Sequence, residues 1–229
     1  MSRTKIQILL ALDTSTRAVG VALFDGAQII NETSWLSHDH HTVELAPAVQ
    51  DALQKSNLTT KDLDAIAVAL GPGSFTGLRI GLALAKGLSI VRHIPLIGIP
   101  TLDITESGQK PQNLPLATIL RAGRGRFAVG WYLNENNVWI SNQEIEVVTP
   151  DALIEKINTP TLLCGEINQE EREYFTRQQP LIHLASPADC VRRPAILAEL
   201  AWKRFQQGKI DDPASLAPIY LHYNDPIPG

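Results

Sequence analysis

Apolar runs separated by short polar turns open the chain and predict three β-strands. The runs are Ile6–Leu12, Val19–Phe24 and Gln28–Leu36. Aspartate, serine, threonine and glycine stand between them, and these residues favour tight turns. Consecutive strands joined by tight turns pair side by side, so the sequence predicts an antiparallel meander.

The residues after the meander change to helical spacing. Four apolar residues recur at that spacing: Leu45, Val49, Ala52 and Leu53. They predict an amphipathic helix. Thr42 is expected to be its N-cap, and Pro47 is expected in or near its first turn, where proline is tolerated best.

Two more strands and a second helix complete this part of the chain. Ala65–Leu70 is a short apolar run typical of a buried strand, and a long apolar helix follows it as far as Arg92. Leu96–Ile99 is the next predicted strand. The order β-β-β-α-β-α-β predicts an α/β fold with a mixed sheet, the pattern of a ribonuclease-H-like half.

The pattern weakens in the rest of the chain and predicts a reduced copy of the same half. The predicted strands are Leu116–Leu120, Phe127–Leu133 and Val138–Val148, and the predicted helices are Asp151–Ile157, Gln169–Arg177 and Pro194–Gln207. Polar residues with prolines and a glycine separate the two parts near residues 100–112. We therefore expect an N-terminal half at residues 1–104 and a reduced C-terminal half at residues 105–229.

Composition and charge narrow the function classes. The chain has 229 residues, of which 44% are hydrophobic and 19% charged, and its net charge is −4. It has enough apolar residues for a core, and its acidic balance argues against coating nucleic acid by itself. Cys164 and Cys190 form no CxxC pair, so buried thiols in a reducing compartment are expected. With no signal-like or membrane-spanning run, we expect a soluble, cytoplasmic protein.

The end of the first strand is a candidate phosphate site. Asp13, Thr14, Ser15 and Thr16 follow that strand directly. A turn with hydroxyls and exposed N–H groups can hold a phosphate, and an adjacent aspartate can orient a hydrated Mg²⁺. The alternative is a turn whose side chains bond their own backbone.

Small residues recur along the second helix. They stand every four residues: Gly73, Gly77, Gly81 and Ala85. One side of the helix is therefore nearly bare, and another helix could approach it closely. The sequence leaves open a subunit interface and purely internal packing. The preceding glycine-rich turn matches neither the Walker A pattern nor the dinucleotide pattern.

Other polar clusters carry weaker signals. The histidines at positions 38, 40 and 41 are too close in sequence to converge on one metal ion, so no metal site is expected. Arg121, Arg124 and Arg126 form a small basic turn, which is either a solvated loop or a contact for RNA or another anion. No arrangement for nucleophilic catalysis is present, and no catalytic residue is assigned.

Several runs resemble the bacterial TsaB family, also called YeaZ. The resemblance spans nearly the whole chain, and its most specific part is GPGSFTGLRIG. The runs are Asp13–Thr16, His41-Thr42 with Pro47, Gly71–Gly81, Ile97–Leu102 and Pro218–Leu221.

The resemblance implies a fold and a role. It implies two ribonuclease-H-like halves of the acetate-kinase/Hsp70/actin superfamily (ASKHA), the second reduced. It also implies a non-catalytic subunit of the complex that forms N6-threonylcarbamoyladenosine on tRNAs reading ANN codons. The expected partners are a catalytic TsaD-like paralogue, a TsaE-like ATPase and, through the complex, tRNA. No cofactor is expected to be required, although ATP or ADP could bind at the partner interface. The alternative function is an ATP-dependent phosphotransferase or ATPase that uses Asp13–Thr16.

The resemblance also implies where the partner binds. Family members pair through the two helices of the first half, with a TsaD-like partner or as homodimers. The matching residues here are His41, Leu45, Val49, Gly73, Phe75, Thr76, Gly77, Arg79, Gly81 and Ala85. The metal-binding run of TsaD-like proteins, N-H-x-E-G-H, is replaced by Pro100–Ile104, which holds no histidine. On this basis Gly81→Arg is expected to block assembly without unfolding the chain.

Overall fold

The structure is a computed structural model that describes residues 7–38 and 41–221. These residues form two compact units. Unit 1 combines residues 7–38 and 41–104 with residues 192–218, and unit 2 contains residues 105–191 and 219–221. The predicted division placed all of 105–229 in the second half. The structure groups 192–218 with unit 1, because the helix in this segment packs on the first sheet.

The secondary structure alternates strands and helices in both units. In chain order the elements are β1 (Ile8–Asp13), β2 (Ala18–Phe24), β3 (Ile29–Leu36), α1 (His41–Lys55), a short 3₁₀ helix (Thr60–Asp62), β4 (Leu63–Ala69), α2 (Phe75–Arg92), β5 (Leu96–Ile99), α3 (Thr101–Ser107), β6 (Leu116–Arg121), β7 (Phe127–Glu135), β8 (Val138–Ser141), β9 (Glu146–Val148), α4 (Pro150–Lys156), β10 (Thr161–Gly165), α5 (Gln169–Gln178), β11 (Ile182–Leu184) and α6 (Pro194–Gln206). The predicted order of unit 1 is confirmed from β1 to β5.

The sheet of unit 1 has the strand order β3-β2-β1-β4-β5. β1 pairs antiparallel with β2, and β2 pairs antiparallel with β3, so the predicted meander is confirmed. β4 lies parallel to β1, and β5 lies parallel to β4. Every residue of β1 is buried, as expected for a central strand that is covered on both faces.

Helices cover the two faces of this sheet. Leu9 and Ala11 of β1 share one face with residues of α6, including Leu197. Successive side chains of a strand point to opposite faces, so Leu10 and Leu12 face the other side, where α1 and α2 contact the strands. The apolar face of α6 explains why this late segment belongs to unit 1.

The start of α1 differs from the prediction. The helix begins at His41, so Thr42 lies inside it and is not its N-cap. Pro47 lies in the second turn rather than in or near the first. Its ring lies on the exposed side of the helix.

The sheet of unit 2 has the order β11-β10-β6-β7-β8, with β9 paired to β7. This order repeats that of unit 1: an antiparallel meander is followed by the parallel strands β10 and β11. The predicted strand Val138–Val148 is two strands in the structure, β8 and β9. Neither β10 nor β11 was predicted, because each is only three to five residues long.

Candidate functional site

The β1–β2 turn is a buried polar cluster at the centre of unit 1. Asp13 ends β1, and Thr14, Ser15 and Thr16 follow it; all four residues are buried. One carboxylate oxygen of Asp13, Oδ1, accepts a hydrogen bond from the Ser15 N–H at 2.9 Å and another from the Ser15 hydroxyl at 2.6 Å. The turn therefore satisfies one side of the aspartate by itself.

Arg192 satisfies the other side of Asp13. Its Nε donates to Asp13 Oδ2 at 2.5 Å, and both side chains are only 2% exposed. Its terminal NH2 donates to Thr16 Oγ1 at 2.8 Å and to the carbonyl of Ala18 at 3.2 Å. A buried charge is tolerated only when it is paired and hydrogen-bonded, and this arrangement meets both conditions.

These contacts favour the turn-forming alternative over a phosphate site. The hydroxyls of Thr14, Ser15 and Thr16 are all engaged within unit 1, and Asp13 pairs with a guanidinium group. A phosphate would need N–H and hydroxyl groups that point outward from the turn. Arg192 could not be predicted from the sequence as the partner of Asp13, because the two residues lie 179 positions apart.

The small residues of α2 pack against this same turn. A Cβ atom added at Gly73 would lie less than 3.0 Å from the backbone of Ser15. A Cβ added at Gly77 or Gly81 would lie less than 3.0 Å from Thr14. The Thr14 hydroxyl donates to the Gly77 carbonyl at 2.8 Å. The bare side of α2 thus lets the β1–β2 turn approach closely.

The predicted interface needs correction at three positions of α2. Gly77, Gly81 and Ala85 are buried inside unit 1, so the internal-packing alternative holds for this side of the helix. A spacing of four residues shows that a bare side exists, but not what covers it. Gly81→Arg would therefore disturb unit 1 itself, contrary to the expectation that the chain stays folded.

The same correction applies to three residues of α1. His41, Leu45 and Val49 are buried and form the inner side of the helix. The His41 ring makes a hydrogen bond through Nε2 to the carbonyl of Thr16 at 3.0 Å. His41 therefore holds the β1–β2 turn, and it cannot belong to an exposed interface.

The outer sides of α1 and α2 carry exposed apolar residues. Phe75, Thr76 and Arg79 are exposed, as an interface would require, and Gly73 is half-buried. The Arg79 guanidinium lies over the Phe75 ring, 3.8 Å from its centre. The exposed side of α2 continues through Ala83, Gly87 and Ile90. On α1 it includes Val43, Ala46 and Pro47. We give one name, the outer α1–α2 face, to the exposed residues Val43, Ala46 and Pro47 of α1 and Phe75, Thr76, Arg79, Ala83, Gly87 and Ile90 of α2.

The remaining clusters show no assembled site. Arg121 pairs with Glu171 at 2.7 Å, and Arg124 is exposed in the β6–β7 turn; an anion contact there stays a prediction.

Among the described residues, no group of histidine, cysteine and acidic side chains could hold a metal ion. His40 lies outside the described residues. None of the described helices is long and apolar enough to cross a bilayer.

The two cysteines, distant in sequence, lie together in unit 2. Cys164 of β10 is buried, and Cys190 is half-buried in the same apolar cluster. The sequence predicted buried thiols but not their proximity, because no local motif links the two residues.

The two sheets define the structural class. Each has an antiparallel meander on one side and two parallel strands on the other, in the strand order of a ribonuclease-H-like fold. Two such α/β units, the second with fewer helices, form the fold of the acetate-kinase/Hsp70/actin class.

Comparisons with known proteins identify the family. A family model described as "TsaD: tRNA N6-adenosine threonylcarbamoyltransferase" matches residues 35–171. The "tRNA threonylcarbamoyladenosine biosynthesis protein TsaB" of Escherichia coli is 29% identical, over 94% of this chain and 95% of that protein. The protein of the same description from Buchnera aphidicola is 32% identical, over 69% of this chain and 78% of the relative. The solved structure "YeaZ from Pseudomonas aeruginosa" has a TM-score of 0.74 at 24% identity, and covers 94% of this chain and 100% of that one. The chain belongs to the TsaB (YeaZ) family, as its motifs predicted.

Proposed function

We propose that this chain is a non-catalytic subunit of the machinery that forms N6-threonylcarbamoyladenosine on tRNA. Its relatives are described as tRNA threonylcarbamoyladenosine biosynthesis proteins, which supports a role in this pathway. In this proposal the chain binds a TsaD-like paralogue through the outer α1–α2 face, and the paralogue carries out the reaction.

The observation that carries the proposal is the exposed apolar surface of that face. Val43 is 69% exposed, Phe75 54% and Ile90 58%. Between Phe75 and Ile90, α2 has two charged residues: Arg79 is exposed and Lys86 is half-buried. Apolar residues clustered on neighbouring helices mark a protein-binding surface, because burying them removes apolar area from water.

The small residues on this face fit close helix packing. At Gly87, nothing lies within 4 Å of an added Cβ atom, so the backbone of α2 is open there. Ala83 is also exposed and stands one turn earlier. Small exposed side chains allow a partner helix to approach the backbone, as they do where helices pack closely in other proteins.

The buried Asp13–Arg192 pair supports a non-catalytic role. In an ATP-dependent phosphotransferase or ATPase, Asp13 would need to face a nucleotide or its hydrated cation. Here its two oxygens accept hydrogen bonds from Ser15 and Arg192. Isothermal titration of the chain with Mg-ATP tests this alternative function. We expect no saturable heat, and tight binding would favour the enzyme.

The proposed complex has a defined substrate, further subunits and a cellular compartment. The substrate is tRNA that reads ANN codons, and the TsaD-like subunit and a TsaE-like ATPase complete the complex. The chain acts in the cytoplasm, and without its partner it can form a homodimer through the same outer face. ATP or ADP, if it binds, does so at the partner interface rather than at Asp13.

Size-exclusion chromatography with the TsaD-like paralogue tests the proposed surface. Ala83→Arg places a long cation at the middle of the outer α1–α2 face, where Ala83 is exposed. We expect the mixture to elute as separate proteins, because docking would bury an unpaired charge. The rate of tRNA modification by the mixture should fall because the complex no longer forms.

Ala27→Arg is the matched control for this experiment. Ala27 is exposed in the β2–β3 turn, where the neighbouring Gly26 lies against Trp202 of α6, so its variant should assemble like the unmodified chain. Both variants should keep the circular dichroism spectrum and thermal midpoint of the original protein. If Ala83→Arg still assembles at micromolar concentration, the outer α1–α2 face is not the interface.

A further inference from the structure

Cys164 and Cys190, the two cysteines of the chain, pack in the same part of unit 2. Cys164 lies on β10, and Cys190 ends the turn that follows β11, where its N–H donates to the Ser186 carbonyl at 3.0 Å. The Cys164 sulfur lies 3.6 Å from the carbonyl of Asp189, the residue before Cys190, and the Cys190 sulfur lies 3.8 Å from the carbonyl of Ala185. Both cysteines pack in one apolar cluster with Leu116 and Trp139.

Arg172 of α5 lies against this pair. Its NH2 group donates to the Cys190 sulfur at 3.3 Å, and its NH1 group donates to the carbonyl of Ala185 at 3.0 Å. The second bond anchors the guanidinium group beside the thiol. A fixed cation stabilises a thiolate, which is the form of cysteine that attacks electrophiles.

The two sulfur atoms differ in access and in charge. Cys164 is fully buried, whereas Cys190 is half-buried. The hydrogen bond from Cys164, a backbone hydrogen bond from Gly165 and the charge of Arg172 together lower the pKa of Cys190 to about 6, although burial opposes the shift. The hydrogen bond with Cys190 raises the pKa of Cys164, and burial and the charge of Asp189 raise it further. Cys190 is therefore the more acidic of the two thiols.

We propose that Cys190 and Cys164 form a peroxide-sensitive dithiol, in which Cys190 attacks the oxidant and Cys164 then closes a disulfide. The geometry that carries this proposal is the packing of both cysteines in one apolar cluster, with the Cys164 sulfur against the residue next to Cys190 and Arg172 held at the more accessible sulfur. Pairs in which one accessible thiolate stands beside a second thiol are typical of redox-responsive cysteines.

The chemistry has two steps with a hydroperoxide as oxidant. The Cys190 thiolate attacks one peroxide oxygen and the O–O bond breaks, which leaves a sulfenic acid on Cys190 and releases hydroxide, protonated to water. The Cys164 sulfur then attacks the Cys190 sulfur. The S–O bond breaks, water leaves with the proton of the Cys164 thiol, and the disulfide forms. The peroxide is reduced by two electrons and the thiol pair is oxidised by two.

Thiol titration of the full chain tests the proposal, because the chain contains two cysteines in all. The reduced chain is treated with hydrogen peroxide, alkylated with iodoacetamide and measured by intact mass spectrometry and peptide mapping. We expect a monomer that has lost two hydrogen atoms, takes up no label, and contains a Cys164–Cys190 cross-link reversed by dithiothreitol. Sulfinic or sulfonic acid on Cys190 with Cys164 still free would overturn the proposal, and so would disulfides between chains.

Single substitutions assign the two roles. In Cys164→Ser, a sulfenic acid should accumulate on Cys190 and react with dimedone. In Cys190→Ser, Cys164 should stay reduced under the same conditions, because it is buried. Equal oxidation of Cys164 in that variant would contradict the assignment of Cys190 as the attacking thiol.

Arg172→Gln tests the role of the cation, with Arg177→Gln on the same helix as the matched control. Arg177 is exposed near the end of α5. At pH 7, a thiol with a pKa near 6 is mostly thiolate, whereas an ordinary thiol is only a few per cent thiolate. Arg172→Gln should slow the alkylation of Cys190 by about threefold or more, and Arg177→Gln should leave it unchanged. Equal rates in all three proteins would show that Arg172 does not activate the thiol. The oxidation of the unmodified chain remains a test whether or not a variant folds.

Discussion

Two glycines of the same helix should respond in opposite ways to one added methyl group. Gly81 and Gly87 both lie inside α2, so alanine at either position gains the same backbone advantage. An added Cβ at Gly81 would lie less than 3.0 Å from Thr14 Oγ1, whereas nothing lies within 4 Å at Gly87. The pair therefore isolates the close packing of α2 on the β1–β2 turn.

The structure gives the size of each effect. Alanine in place of an interior helical glycine stabilises by about 1 kcal/mol, so Gly87→Ala should gain about 0.5–1 kcal/mol in the free energy of unfolding. At Gly81 the Thr14 side chain must move. Overpacking costs about 1–3 kcal/mol, and weakening the bond from Thr14 to the Gly77 carbonyl costs about 1 kcal/mol. The net result for Gly81→Ala is a loss of about 1–3 kcal/mol.

Urea unfolding followed by far-ultraviolet circular dichroism measures both variants. The midpoint should rise for Gly87→Ala and fall for Gly81→Ala, and the transition that moves belongs to unit 1. Thr14→Ala is a third variant, which removes Thr14 Oγ1, the atom nearest to a Cβ at position 81. The loss of stability caused by Gly81→Ala should therefore be smaller in the Thr14→Ala background. If Gly81→Ala is as stable as Gly87→Ala, the bare side of α2 is not packed on the turn.

Two further predictions concern charged side chains of unit 1, the Asp13–Arg192 pair and Asp103. Arg192→Met leaves the Asp13 carboxylate buried without its cation and should cost about 3–5 kcal/mol in chemical denaturation; adding Asp13→Asn should recover part of that loss, and no recovery would contradict the pairing. Burial raises the pKa of Asp103 in α3 above its ordinary value, so the folded state binds this proton more tightly than the unfolded state. Its ionisation therefore lowers stability as pH rises from the ordinary aspartate range through the raised pKa. Asp103→Asn should remove this dependence and stabilise the chain at neutral pH, which thermal melts across the pH range would show.

The strands and helices of unit 1 could be predicted because their signals are local. β1 and β4 are short apolar runs between turn residues, and α2 is a long apolar segment after a glycine-rich turn. β10 and β11 gave no comparable signal, because such short strands depend on their neighbours in the sheet. The predicted start of α1 differs from the observed one by a few residues, because a capping residue and a first helical residue differ only in backbone conformation.

The residues of the candidate site were found in part. Asp13–Thr16 were selected as a candidate phosphate site or a turn bonded to its own backbone, and the contacts favour the turn. Their partner Arg192 lies 179 positions away from Asp13 and belongs to no local pattern. Phe75, Thr76 and Arg79 are exposed as an interface requires, whereas Gly77, Gly81 and Ala85 face the interior.

The sequence by itself determined the family and the order of elements in unit 1, because both are carried by contiguous motifs and by the period of apolar residues. Only the tertiary structure decided which side of α2 is covered, what neutralises Asp13 and which two thiols meet. These are contacts between segments far apart in the chain. A helical period reveals that a side is bare, but the covering element is chosen by the topology of the sheet, which here brings the β1–β2 turn against α2. The same topology leaves the outer α1–α2 face exposed and brings Cys190 to Cys164.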